Sequence, residues 1–290
     1  MRKLLFLAII VLMSTANSKK VKPLENALLW EISKKGSDNK SYLYGTIHLS
    51  CTSELSDNVN NALESSEKVF LEIKMDDPEL QNKVMANVFM KDSSSLLNLL
   101  TPEKYAVVDT FFQKNMNMSA VQLDKIKPIF SQTMLMPLFV SCTNAQAIDA
   151  MVMNKAKENG LEIFGLETIE DQLAVFDEIS YQEQADMLYD LAVMGIDSVK
   201  VLFDDMSAVY DNKEINKFQT MMKDKRYMSF SNDKFTDALL KDRNEKWMTT
   251  IMSEMSNQST FFAVGSGHLA GEYGVLRLLQ QQGYKVKPVK

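Results

Sequence analysis

Apolar and aromatic residues gather in runs of strand length at 27–32, 41–44, 68–73, 161–164, 260–264 and 284–289. Their length and their content of Val, Ile, Phe and Tyr predict strands. Between them lie helix signals. Asp77-Pro78 opens one segment and Thr101-Pro102-Glu103 another, while Gly160 and Gly283 stand where helix C-termini should end. The long middle, from about residue 76 to 255, reads as predominantly helical. Leu188, Leu191, Met194, Val201 and Leu202 have the spacing of one amphipathic face. The pattern predicts an α/β (α+β) fold in which a large helical insertion separates two sheet-forming ends, with residues 19–290 as a single domain.

The first residues change the picture of where the chain works. Met1-Arg2-Lys3, an apolar stretch from Leu4 to Met13 and the small and polar residues Ser14 to Ser18 have the layout of a secretory signal peptide over residues 1–18. The apolar stretch is far short of the ~20 residues a spanning helix needs. We therefore expect an exported protein, periplasmic or extracellular, with no retained membrane span. The formal net charge is -6, without a clustered basic stripe, which argues against nucleic acid as a partner. In an exported chain the 2 cysteines, Cys51 and Cys142, permit one disulfide, the alternative being two separately buried thiols. The 20 methionines suit core gap-filling rather than binding.

The candidate chemistry lies in an internal echo. Tyr42-Leu43-Tyr44-Gly45-Thr46-Ile47-His48-Leu49-Ser50 aligns with Phe262-Ala263-Val264-Gly265-Ser266-Gly267-His268-Leu269-Ala270, and these two histidines are the only ones in the chain. Each reads as an apolar strand, then Gly-x-x-His. A glycine lets the backbone turn sharply through its access to positive φ, and the histidine is then aimed back over the sheet edge. Gly45, Gly265 and Gly267 are accordingly expected to serve the site structurally. Two imidazoles alone hold a catalytic metal poorly, and a carboxylate would complete a three-ligand site with an open position. Glu72 is the leading candidate because it interrupts the apolar run Val69-Phe70-Leu71-Glu72-Ile73; the alternative is an outward-facing residue on a half-exposed strand. Glu167 follows another strand and precedes Thr168-x-x-Asp171, a capping-box pattern, so it could be a base or a partner of the helix dipole. Arg243-Asn244, within Asp242-Arg243-Asn244-Glu245-Lys246-Trp247, reads on residue physics alone as a solvated, charged helix face.

At these residues the chain resembles the TraB/PrgY/GumN family, whose animal relatives are the Tiki metalloproteases. The resemblance rests on Gly45 to His48, Glu72, Gly165-Leu166-Glu167-Thr168 with Gln172, Arg243-Asn244 with Trp247, and Gly265 to Gly271. It implies a fold like that of the erythromycin esterase and haem-binding lipoprotein relatives: a central mixed sheet flanked by helices, its two pseudo-symmetric halves each supplying a histidine corner. It also implies a divalent metal (Zn, Mn or Co) held by His48, Glu72 and His268, and it moves Glu167, Arg243 and Asn244 into the active site. The function so implied is metal-assisted hydrolysis, of a peptide bond in the leading reading, with Glu167 taking a proton, Arg243 stabilising an oxyanion or anchoring a substrate carboxylate, and Asn244 orienting it. A non-catalytic periplasmic protein binding haem, metal or a small ligand in the same cleft, and a hydrolase of esters or lactones, are the alternatives. The His-Glu-x-x-His helix of common zinc peptidases is absent from the sequence.

Overall fold

All six expected strands form: β1 (Leu29–Lys34), β2 (Lys40–Thr46), β3 (Lys68–Leu71), β4 (Glu162–Gly165), β5 (Thr260–Gly265) and β6 (Tyr284–Val289). The computed structural model describes residues 22–36, 39–227 and 233–290, so the leader expected over residues 1–18 lies outside the described residues. The strands make one sheet in the order β4-β3-β5-β2-β1-β6. β1 runs antiparallel to β2 and β6, whereas β2, β5, β3 and β4 are mutually parallel, so the sheet is mixed and the fold α/β. In the central β5, Phe261, Phe262, Ala263 and Val264 are fully buried. Its unbroken apolar run is the signature of a parallel strand covered on both faces. The edge strand β6 alternates instead, with Tyr284 buried and Lys285 exposed.

The four parallel strands end at the same edge of the sheet, at Thr46, Leu71, Gly165 and Gly265. Their following loops carry His48, Glu72, Glu167 and His268 in turn. Side chains from distant parts of the sequence meet at this carboxyl edge, the usual place for a site in such a sheet.

Several helix signals act as read. Thr101 caps the helix Pro102–Met116, Thr168 and Asp171 form a capping box on Ile169–Ala174, and Gly160 and Gly283, at φ 70° and 80°, follow helices. Two signals act differently. Asp77-Pro78 lies in a turn, and the helix it precedes begins at Leu80. The expected face from Leu188 to Leu202 does not hold together, since Leu188 is buried but Met194 and Val201 are 41% and 61% exposed. Gly195, at φ 77°, separates the helices Tyr181–Met194 and Ile196–Asp211, so the residues on either side do not share one face. Among the described residues no helix is long and apolar enough to cross a membrane.

Cys51 and Cys142 are bridged, with their Cα atoms 5.8 Å apart. The bridge ties the loop after β2 to the segment entering the helix Ile148–Glu158. Two backbone hydrogen bonds between Ser50 and Gln146, each 2.9 Å, and one of 3.0 Å from Ile148 N–H to Ile47 O reinforce the same joint.

Candidate functional site

Arg243 is the hub of the carboxyl edge. It projects from the helix Asp242–Asn257, directly after a π turn at Asp237–Lys241, a local widening of the kind often found at functional positions. Its Nη2 donates to Glu72 Oε2 at 2.6 Å and Glu167 Oε1 at 2.5 Å, and its Nε to Glu167 at 3.0 Å. Nη1 donates to Leu239 O and to His268 Nε2, both at 3.1 Å. Each N–H of the guanidinium thus has an acceptor. Glu167 Oε2 also accepts from Trp247 Nε1 at 3.1 Å, and the Trp247 ring lies 4.6 Å from that of His268, centroid to centroid. Glu72 Oε2 takes a second hydrogen bond from Gln172, while Oε1 takes the Gly265 N–H at 2.7 Å and lies 3.7 Å from His268 Nε2.

The tautomer of His268 follows from its neighbour. Asn244 Nδ2 donates to the carbonyls of Tyr273 and His268, so its Oδ1 is an acceptor and takes the His268 Nδ1–H at 2.7 Å. Nε2 therefore carries the lone pair. Burial, together with the Arg243 and His48 charges, outweighs the Glu72 carboxylate and lowers the His268 pKa to about 3, so the ring is neutral at pH 7. Burial opposes ionisation of Glu72, but the surrounding positive charge and the Gly265 N–H bring its pKa down to about 2. With His268 neutral, Arg243 is the principal buried cation doing so. Glu167 is shifted upward by burial, against the pull of Arg243.

His48 stands apart from this cluster. Its ring is largely exposed, and Nδ1 lies 3.1 Å from Asp149 Oδ2. That hydrogen bond is the largest of the influences that raise its pKa to about 9. Asp149 Oδ1 in turn accepts from Thr46 Oγ1 at 2.5 Å. Tyr210 Oη donates to Gly45 O at 3.0 Å, near the end of β2.

Comparison with known proteins settles the ancestry. The family model TraB/PrgY/gumN matches residues 28–288. The chain belongs to this family. Among curated relatives, "Metalloprotease TIKI2" of Danio rerio is 22% identical, the match covering 90% of this chain and 61% of that protein. "Metalloprotease TIKI1" of Danio rerio and the "Metalloprotease TIKI homolog" of Amphimedon queenslandica are each 21% identical, with 63% and 61% of their lengths covered. The chain thus spans less than two thirds of these relatives. No solved structure matches it.

Within this family chain, Glu72, Glu167, Arg243, Asn244 and His268 are brought together, and His48 lies on the neighbouring strand end. Two residue-level expectations are corrected. Arg243 and Asn244 are only 5% and 2% exposed, so the solvated helix face is not what forms. Gly45 and Gly265 do not have positive φ; they are small because neighbours come close. A Cβ on Gly45 would lie 2.6 Å from Leu269 Cδ1, and one on Gly265 would lie 3.2 Å from Glu72 Oε1, whereas Gly267 has ordinary room. Gly45→Ala is therefore expected to destabilise the protein by about 1–3 kcal/mol through overpacking. Denaturant titration should show the penalty shrinking when Leu269→Ala is combined with it; strict additivity would contradict the assigned clash. Asp149, Thr46 and Tyr210 were missed, and an Asp in the first turn of a helix reads locally as a dipole partner.

The donors can be tested against a metal. His268 Nε2 and Glu72 Oε1 are 3.7 Å apart, a gap that one ion with bonds of about 2.0–2.2 Å could bridge. An ion would take the Nε2 lone pair from Arg243 Nη1, which would retain Leu239 O. Two buried carboxylates against one guanidinium leave negative charge to balance. These donors fit a divalent cation. Among the described residues, however, no three His, Cys, Asp or Glu side chains are clustered as a formed metal site.

Proposed function

We propose that this protein is an exported, metal-dependent hydrolase that cleaves peptide bonds, with His268, Glu72 and His48 as donors to the ion. The observation that carries the reading is the neutral Nε2 of His268 facing Glu72 Oε1 across 3.7 Å in a buried cluster with excess negative charge. The metalloprotease names of the relatives support it. The ion, Zn, Mn or Co, would supply Lewis acidity toward a water or a carbonyl. The residues then divide the work. Asn244 keeps the His268 lone pair on Nε2. Arg243 keeps Glu72 ionised and locks the orientation of both carboxylates. Glu167, the carboxylate raised by burial, is the group suited to take up a proton.

Metal analysis of the purified mature protein tests this. Wild type should retain about one equivalent of a divalent metal, as expected for a single site, and both His268→Ala and Glu72→Gln should lose it while keeping their far-ultraviolet circular dichroism. A metal-dependent screen of peptides beside esters should favour peptides. A fully active His268→Ala protein sinks the proposal. A Soret band on haem titration without hydrolysis selects the binding-protein reading, and preference for esters or lactones selects the other hydrolase.

A further inference from the structure

Each of the two histidines has an oxygen from a helix on its Nδ1. For His268 it is Asn244 Oδ1, from the third residue of the helix Asp242–Asn257; for His48 it is Asp149 Oδ2, from the second residue of the helix Ile148–Glu158. The echo in the sequence covers the strands and glycines but not these partners, which come from unrelated segments. We propose that Asp149 is a positioning residue for His48: it keeps the proton on Nδ1 and orients the exposed ring so that Nε2 is presented to the site. This rests on the reading of His48 as a metal donor.

The geometry separates this role from a general structural one. Asp149 is 7% exposed, and its two oxygens are spent on the β2 corner, one on Thr46 Oγ1 and the other on His48 Nδ1. The Thr46 contact fixes the carboxylate so that the second oxygen meets the ring. Placement of the backbone does not depend on this carboxylate, because the Ser50 and Gln146 hydrogen bonds, the bond from Ile148 N–H to Ile47 O and the Cys51 to Cys142 bridge hold the two segments together. Removing the side-chain charge should therefore free the ring without dissolving the corner. A largely exposed imidazole released from its partner spreads over several rotamers, and an ion must then order it. Outer partners of ligating histidines typically change metal affinity by about 10–100-fold.

Two readouts test the proposal on the full mature chain. In the metal-free protein, imidazole-selective 1H–15N NMR should show the His48 Nδ1–H protected from solvent exchange in wild type and exposed in Asp149→Ala. The near-isosteric Asp149→Leu, which keeps most of the packing volume but accepts no hydrogen bond, should bind Zn2+ about 10–100-fold more weakly by chelator competition. An Nδ1–H that stays protected in Asp149→Ala, or Zn2+ affinity within about twofold of wild type in a folded Asp149→Leu, overturns the assignment, even if stability falls. If wild type binds no Zn2+, Mn2+ or Co2+, the metal reading fails, and the NMR measurement still decides whether Asp149 holds the ring.

Discussion

Arg243→Met is expected to cost about 3–5 kcal/mol of stability at neutral pH, the penalty for removing one partner of a buried ionic cluster. The loss does not come mainly from missing contacts. It comes from leaving Glu72 and Glu167, both nearly excluded from solvent, without the guanidinium they share. Arg243→Lys should recover little, because a single ammonium cannot reproduce the fork that reaches Glu72, Glu167, Leu239 and His268 together. The pH dependence gives the prediction a signature. In wild type the Glu72 pKa is lowered to about 2, so its stabilising contribution is present above the unfolded value of about 4.3 and is lost as pH falls toward the folded one. Glu167, shifted upward, contributes the opposite slope. In Arg243→Met both carboxyls are pushed up by burial, so the gap between the two proteins opens as pH rises through the wild-type Glu72 value of about 2 and widens until the variant's carboxyls ionise. Urea titrations should show wild type and variant far apart at pH 7 and converging in acid. Parallel curves across the range would mean that packing, not charge, is what Arg243 supplies.

Removing the disulfide, by reduction or as Cys51→Ala with Cys142→Ala, is expected to cost about 2–5 kcal/mol. The closed segment is long, with a separation of 91 residues, so the unfolded chain regains much entropy when the bond is absent. The consequence reaches beyond stability because the bridge lies at the joint that brings Asp149 to His48. Local opening there should release the His48 ring before the sheet unfolds, and amide hydrogen exchange should register it first at Ser50 and Gln146, whose paired backbone groups close the joint. Unchanged protection at those two amides in the double variant would remove the bridge from any part in holding the site.

Much of the frame was legible from the chain alone, for identifiable reasons. Strand runs such as 261–264 are apolar throughout because β5 is covered on both faces, and burial on both faces leaves little polar pattern to blur the signal. Capping residues such as Thr101 and Thr168 act within a few positions of where they stand. Glu72 could be singled out because a carboxylate in an apolar run is conspicuous, although it falls just past the end of β3 rather than within it. The face of Arg243 and Asn244 was not legible. The same Asp-Arg-Asn-Glu-Lys string serves a solvated helix and a buried ion cluster equally well, and the difference lies in partners some 76 and 171 residues away.

By itself, then, the sequence determined the strands, the helix ends, the paired Gly-x-x-His corners and the family to which the chain belongs, since each is written in local periodicity or short motifs. Tertiary structure decided the strand order, the bridge between Cys51 and Cys142, the purpose of the glycines, and the partners of the two histidines. Those are properties of distance between remote segments. His48 and His268 look alike in the sequence, yet one acquires a carboxylate in the open and the other an amide in the interior. Burial and neighbouring charge, which no short window of sequence contains, make them chemically different residues.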